Sequence, residues 1–330
     1  MNSYHRSLIG RIALVSGCVF VALGVATIAG SADFPQKGKA FQMIVPFEPG
    51  GVNDAAGRVL AGDLEKIVGA PVVLVNKPGA STQIGLTFLA QARPDGYTFG
   101  IISFPTSLGP YLDPSRKAAY SRKSFLPLAM HVWDPCIMAV RADSPYKNVP
   151  DLVSAAKAKP RTITMAVGVL NDDHFTALLL ERAAGVKFAH VTFAGGMAPA
   201  LTATLGGKIE VYNGNIGDMR SVVKSGQMRI LGVMDNERSP FFPEAKTFEE
   251  QGYKLYNSSS RGFLLPVGAR QEVVDTLSGA MKKVITSEGH LKRMTEMSLG
   301  VRYLDPAQFA KFWEEYEARA IELIALAKQD

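Results

Sequence analysis

Cysteine is almost missing: the 330 residues contain only Cys18 and Cys136. Cys18 falls in an apolar N-terminal run, so a chain that loses that run keeps one thiol and cannot close an internal disulfide. No basic cluster flanks Cys136 to lower its pKa, which favours a buried structural thiol. Basic residues are scattered, with no arginine stripe interleaved with aromatics, so nucleic acid is not an expected partner. The sequence has neither the Gly-Lys-Ser/Thr phosphate loop nor Gly-x-Gly-x-x-Gly at its glycine turns, which disfavours nucleotides. It has no paired zinc-ligand motif and no nucleophile elbow around Ser103, Ser107 or Cys136. Neither a cofactor nor a metal is expected. A catalytic triad can be scattered along a chain, so a hydrolase stays as an alternative.

A long apolar run occurs only at the N-terminus. Arg6 and Arg11 precede Ile12 to Ala29, and the small residues Gly30-Ser31-Ala32 follow. This is the pattern of a cleaved secretory leader over residues 1–32, with an uncleaved anchor as the alternative. Removing it takes Arg6 and Arg11 out of a formal net charge of +6. The full chain is 20% charged, an ordinary globular balance, and the part after the leader is long enough for two domains.

Strand and helix patterns then alternate, which predicts α/β architecture with mainly parallel sheets. The first helix is expected from about Asn53 to Val68, with Ala56, Leu60, Leu64 and Ile67 on one face. Gly57 and Gly62 each weaken it by about 1 kcal/mol relative to alanine, which suggests close backbone packing at both. A second helix is expected from Ser81. Long charged helices near Gln271–Ser287 and Pro306–Lys328 read as outer cladding. Crossings near 134–138 and 255–262 would give a discontinuous domain, 33–136 plus 258–330, and a second domain, 137–257. Trp133-Asp134 lies at one crossing, as a hinge, a pocket wall or a packed aromatic.

Two glycine turns carry the functional signal. Ile44-Val45-Pro46-Phe47-Glu48-Pro49-Gly50-Gly51-Val52-Asn53-Asp54 runs from a strand into a helix start. Val72-Val73-Leu74-Val75-Asn76-Lys77-Pro78-Gly79-Ala80-Ser81-Thr82 repeats the device. Helix starts present unpaired N–H groups and a positive dipole end, which suit an anion. Ordinary turn chemistry selects the same residues and remains the rival reading. Asp54 reads as a dipole partner or as the i+4 mate of Arg58 rather than a catalytic acid. Asn171-Asp172-Asp173-His174 reads as a helix cap before a metal site. His131 and His190 have no convincing partner in the sequence.

Val45-Pro46-Phe47-x-Pro49-Gly50-Gly51-x-x-Asp54 followed by Asn76-Lys77-Pro78-Gly79-Ala80 resembles the Bug family, periplasmic solute-binding proteins of tripartite tricarboxylate transporters. Ala92-Arg93-Pro94-Asp95-Gly96-Tyr97-Thr98, Asp151-Leu152, Ala198-Pro199-Ala200, Gly206-Gly207 and Phe248-x-Glu250-x-Gly252 extend the match over roughly residues 35–310. The resemblance implies a two-domain type II periplasmic-binding-protein fold holding a small carboxylate in a cleft between domains. It implies ligand contacts at Phe47, Gly51, Val52, Asn53, Ala80, Ser81 and Thr82 in the first domain. Val169, His174, Gly195, Gly196 and Asn213 would complete the site from the second.

Departures from the family pattern are local. Ser81-Thr82 replaces a frequent Gly-Gly, Phe193 a usual tyrosine, and Glu210 a usual aspartate. A ligand with an apolar or aromatic body is one consequence. Capture by domain closure, delivery to membrane transporter subunits and a monomeric state are the expected behaviour. Service to a periplasmic sensing pathway is the other use for such a cleft.

Overall fold

The computed structural model describes residues 34–193 and 197–327; the leader read over 1–32 lies outside them. Strands and helices alternate as β1 (Phe41–Val45), α1 (Val52–Val68), β2 (Val72–Asn76), α2 (Gln83–Ala90), β3 (Thr98–Phe104) and the short α3 (Gly109–Leu112). The middle continues with β4 (Phe125–Arg141), α4 (Val149–Ala158), β5 (Thr164–Val167), α5 (Asp172–Ala184), β6 (Ala189–Thr192), α6 (Met197–Leu205), β7 (Val211–Asn215), α7 (Arg220–Lys224) and β8 (Met228–Val233). The chain closes with β9 (Ser258–Pro266), α8 (Gln271–Ile285), α9 (Glu288–Glu296), β10 (Val301–Leu304) and α10 (Pro306–Ala327).

These strands join in the order β2-β1-β3-β9-β4-β7-β5-β6, with β8 and β10 also pairing with β4. Pairing is parallel among β1, β2 and β3 and among β5, β6 and β7. The expectation of mainly parallel sheets is corrected at the centre, where β4 and β9 run antiparallel to every neighbour. Phe125 to Pro135 of β4 pair with β9, while Cys136 to Arg141 pair with β7 and β8. One strand thus serves two ladders, changing partners between Pro135 and Cys136.

The central strands β3, β4 and β9 are buried on both faces along most of their length. Met43, Ile101 and Phe263 point to one core with Leu60, Leu277 and Met281, whereas their neighbours Ile44, Ile102 and Leu264 point to another with Phe309 and Trp313. Beyond Pro135 the alternation continues, with Met138 and Val140 on one side and Ile137 and Ala139 on the other. A strand buried on both faces needs apolar residues at successive positions, which is why these runs do not alternate with polar ones. Each such side chain contributes about 1.5–3 kcal/mol on full burial.

The helix starts differ from expectation at one place. α2 begins at Gln83, two residues later than predicted, because Ala80, Ser81 and Thr82 all adopt positive φ (48°, 51° and 74°). Left-handed backbone cannot continue a right-handed helix and costs L-residues about 1–2 kcal/mol each. The reason offered for the α1 glycines holds only once. A Cβ on Gly57 would lie 3.0 Å from Ile101 Cδ1, whereas one on Gly62 would meet nothing within 4 Å.

Candidate ligand site

At the first turn, Gly50 (φ 82°) reverses the chain and Gly51 caps α1 with no side chain to offer. Buried Asp54 ties the turn together. It accepts from Gly50 N (3.0 Å), Asn76 Nδ2 (2.9 Å), and Arg58 Nε and Nη2 (2.8 and 3.0 Å). Asn76 Nδ2 also reaches Phe47 O at 3.1 Å, so the end of β2 holds the loop leaving β1. The Arg58 hydrogen bonds, helped by Gly50 and Asn76, lower Asp54 to about 2 against the cost of burial. Asp54 is therefore a charged clasp, as the i+4 spacing suggested. The N–H groups of Val52, Asn53 and Asp54 have no intrahelical acceptor, and Val52 is 44% exposed.

The second turn is held by Arg116. Its Nη2 donates to Ala80 O at 2.6 Å, and its own carbonyl accepts from Gln83 Nε2 at 3.1 Å. Ser81 is exposed, while Thr82 is buried and its hydroxyl has no partner among the described residues. Neither α1 nor α2 has a capping side chain. By contrast Asn148, Asn171 and Ser287 cap α4, α5 and α9.

Beyond the crossing, Asn171 Oδ1 accepts from His174 N at 3.2 Å, the cap anticipated for this segment. Asp173 Oδ2 accepts from Gly168 N (3.1 Å) and Asn171 Nδ2 (2.8 Å), shaping the loop before α5. A Cβ on Gly168 would collide with the Asn171 side chain at 2.1 Å. Val169 at the loop tip is 67% exposed. His174 packs edge-on to His190, with ring centres 5.6 Å apart, and its Nδ1 accepts from Leu170 N at 3.4 Å. Buried Asn213 donates to Asp173 O at 2.5 Å, and its Oδ1 has no partner among the described residues. Gly195 and Gly196 lie outside the described residues.

Hydrogen bonds thus fix three loops that carry the expected residues: the Phe47–Asn53 turn through Asp54, the Ala80–Thr82 turn through Arg116, and the loop before α5 with Asn213 through Asp173. A buried arginine joins the first loop. Arg261 of β9 donates from Nε to Asn53 Oδ1 at 2.6 Å. Burial lowers its pKa, while Asp134, Asp172 and Asp218 oppose that shift. Burial pushes Asp134 up to about 7, with Asp218 and Asp172 adding to the effect and Arg261 opposing it. Asp172 and Asp173 are raised first by burial as well. The expected site residues did not include Arg261. The available signal was a charge set between Ser258-Ser259-Ser260 and an apolar run.

Two further histidine readings are corrected. His131 Nε2 lies 2.8 Å from His290 Nε2, and His290 Nδ1 lies 3.0 Å from Asp63 Oδ2. His190 Nε2 pairs with Glu181 at 3.1 Å. The partners of His131 and His290 come from distant elements, whereas Glu181 lies on α5, the helix just before β6. Trp133 is packed, under Arg302 at 4.0 Å and donating to Asp235 Oδ2 at 2.8 Å. Cys136 is buried, its thiol pushed up by desolvation.

The family described as tripartite tricarboxylate transporter family receptor (TctC) matches residues 56–328. The chain belongs to this family. Protein BugT of Bordetella pertussis is 27% identical over 84% of the chain and 85% of its own length. A TctC solute-binding protein from Polaromonas, solved without ligand, superposes with a TM-score of 0.78 at 27% identity, covering 89% of this chain and 99% of its own. An R. palustris protein solved with adipate superposes with a TM-score of 0.73 at 25% identity, covering 90% and 99%. This TctC receptor therefore has the periplasmic-binding-protein fold of its relatives, and its family role is solute binding for transport rather than catalysis. Ser107 fits that role: its Oγ accepts from Ser103 N at 3.1 Å, and both serines are buried.

Proposed function

We propose that this receptor captures a small organic carboxylate between two lobes and presents it to membrane transporter subunits. The lobes are 33–136 with 258–330, and 137–257, and residues 1–32 are a cleaved leader. The observation that carries the reading is the pair of uncapped helix starts, α1 and α2, which follow the hydrogen-bonded neighbours β1 and β2. The free N–H groups of the α1 start and the positive dipole ends of both helices would take the carboxylate, since Gln83 N and Ile84 N of α2 already donate to Ala80 O and Gly79 O. Phe47, Gly51, Val52, Asn53, Ala80, Ser81 and Thr82 form this side. Val169, His174, Gly195, Gly196 and Asn213 close from the other.

Exposed Val52 and Val169 favour a solute with an apolar or aromatic body. Adipate in the R. palustris relative supports an aliphatic acid as a first probe. Closure is a population shift toward the state in which the ligand meets both lobes. Calorimetric titration of refolded, ligand-free protein against aliphatic and aromatic acids tests the reading. Binding of acids but not of their amides is expected. A panel in which only short, fully polar acids bind would refute the apolar body.

A further inference from the structure

We propose that Arg261 is the charged anchor of the bound acid, its Nη1 pairing with one carboxylate oxygen of the ligand. The inference rests on the carboxylate reading above and adds a specificity-determining residue to it. Arg261 sits on β9 between Ser103 of β3 and Val132 of β4, and it is 6% exposed. Its hydrogen-bond partners are both neutral: Asn53 Oδ1 at 2.6 Å and Ser259 Oγ at 3.4 Å. Nη1 is buried and has no partner among the described residues. A guanidinium has five donors and stays charged; Asp134, Asp172 and Asp218 favour that charge through space, but a buried donor left without its hydrogen bond still carries a cost.

The neighbouring carboxyls make no hydrogen bond to Arg261 among the described residues, and one oxygen of each is engaged elsewhere. Asp134 Oδ1 accepts from Gly217 N at 3.3 Å, and Asp218 Oδ2 accepts from Tyr212 OH at 2.8 Å and Asn215 N at 3.2 Å. Asp172 Oδ2 faces the Cys136 thiol at 3.8 Å. Asn53, meanwhile, is the second residue of α1, so the unspent donors of Arg261 stand beside the helix start that lacks a capping side chain. An acid there would receive backbone N–H groups from α1 and a charged donor from β9. Because Nη1 is sealed from solvent, the acid reaches it only when the Asn53 turn or the opposite loops move aside. The pair then forms out of water, where charge-assisted hydrogen bonds are strongest.

The test titrates wild type, Arg261→Lys and Arg261→Met with adipate, succinate and benzoate, each beside its neutral amide. Wild type is expected to prefer at least one acid over its amide by about tenfold or more. R261M is expected to lose that preference, and R261K to keep part of it. A structural role would weaken acid and amide alike. R261M with the wild-type preference overturns the anchor and leaves the carboxylate reading standing. Wild type that binds no acid, or binds the amides equally, overturns both. Melting without ligand gives an independent readout. R261M should melt at or above wild type, because an apolar side chain replaces a buried charge whose hydrogen bonding is incomplete. R261M melting well below wild type would make Arg261 the counter-ion of the three aspartates and overturn the proposal.

Discussion

Asp54 shows how much one short side chain decides. Its carboxylate closes the glycine turn, ties β2 to the loop after β1 and fixes Arg58 on the next turn of α1. An acid whose folded pKa is depressed adds stability that is present above its unfolded pKa. That stability is lost as pH falls through the folded value. For Asp54 the window runs from about pH 4 down to about 2. Asp54→Asn is expected to cost about 1–2 kcal/mol at neutral pH and to flatten acid unfolding across that window, measured by urea denaturation at stepped pH.

Asp134 has the opposite sign. Its carboxyl is raised to about 7, so its contribution is complete below the unfolded pKa and declines as pH rises from about 4 to 7. Asp134→Asn should remove that decline, seen as a flatter profile of unfolding free energy over the same range. Were the decline unchanged in the variant, another buried acid, Asp172 or Asp173, would be its source.

At the scale of elements, the glycines of α1 and α2 separate helix propensity from packing. Gly62 has open space around its missing Cβ, so Gly62→Ala is expected to stabilise by about 0.5–1 kcal/mol. Gly85 of α2 is crowded: an added Cβ would lie 2.7 Å from Lys77 O and 2.7 Å from Pro46 Cβ. Gly85→Ala should therefore destabilise by about 1–3 kcal/mol and disturb the turn that α2 follows. Thermal melts of the two variants, with opposite shifts, check both.

The alternation of elements was legible because both-face burial leaves continuous apolar strands, as in Ile137 to Val140, and because Gly69 and Gly185 stop helices in left-handed geometry. The late start of α2 was not legible, since Ala80, Ser81 and Thr82 do not announce left-handed backbone. Nor was the antiparallel centre, because pairing partners of β4 and β9 lie far apart in sequence. Arg261 and His290 were missed for the same reason: their significance comes from Asn53, His131 and Asp63, which only the fold brings to them.

At the scale of the molecule, the proposed lobes are bound together by more than a pair of linkers. Asn257, just before β9, donates to Asp172 O (2.8 Å) and Thr176 Oγ1 (2.9 Å) and accepts from Tyr316 OH (2.8 Å). Arg319 of α10 reaches Tyr256 O at 2.9 Å, and Arg182 of α5 pairs with Glu322 at 3.0 Å. Asn257→Ala is expected to strand the buried Tyr316 hydroxyl and to lower stability by about 1–3 kcal/mol, read from chemical denaturation.

β4 adds a consequence of its own. A strand of 17 residues that hydrogen-bonds to β9 in one half and to β7 and β8 in the other cannot lose one ladder without exposing the end of the next. Calorimetry of the ligand-free protein should therefore record one endotherm, with van't Hoff and calorimetric enthalpies in agreement, rather than two resolved peaks. The strand shared by the two proposed lobes thus commits them to melt together.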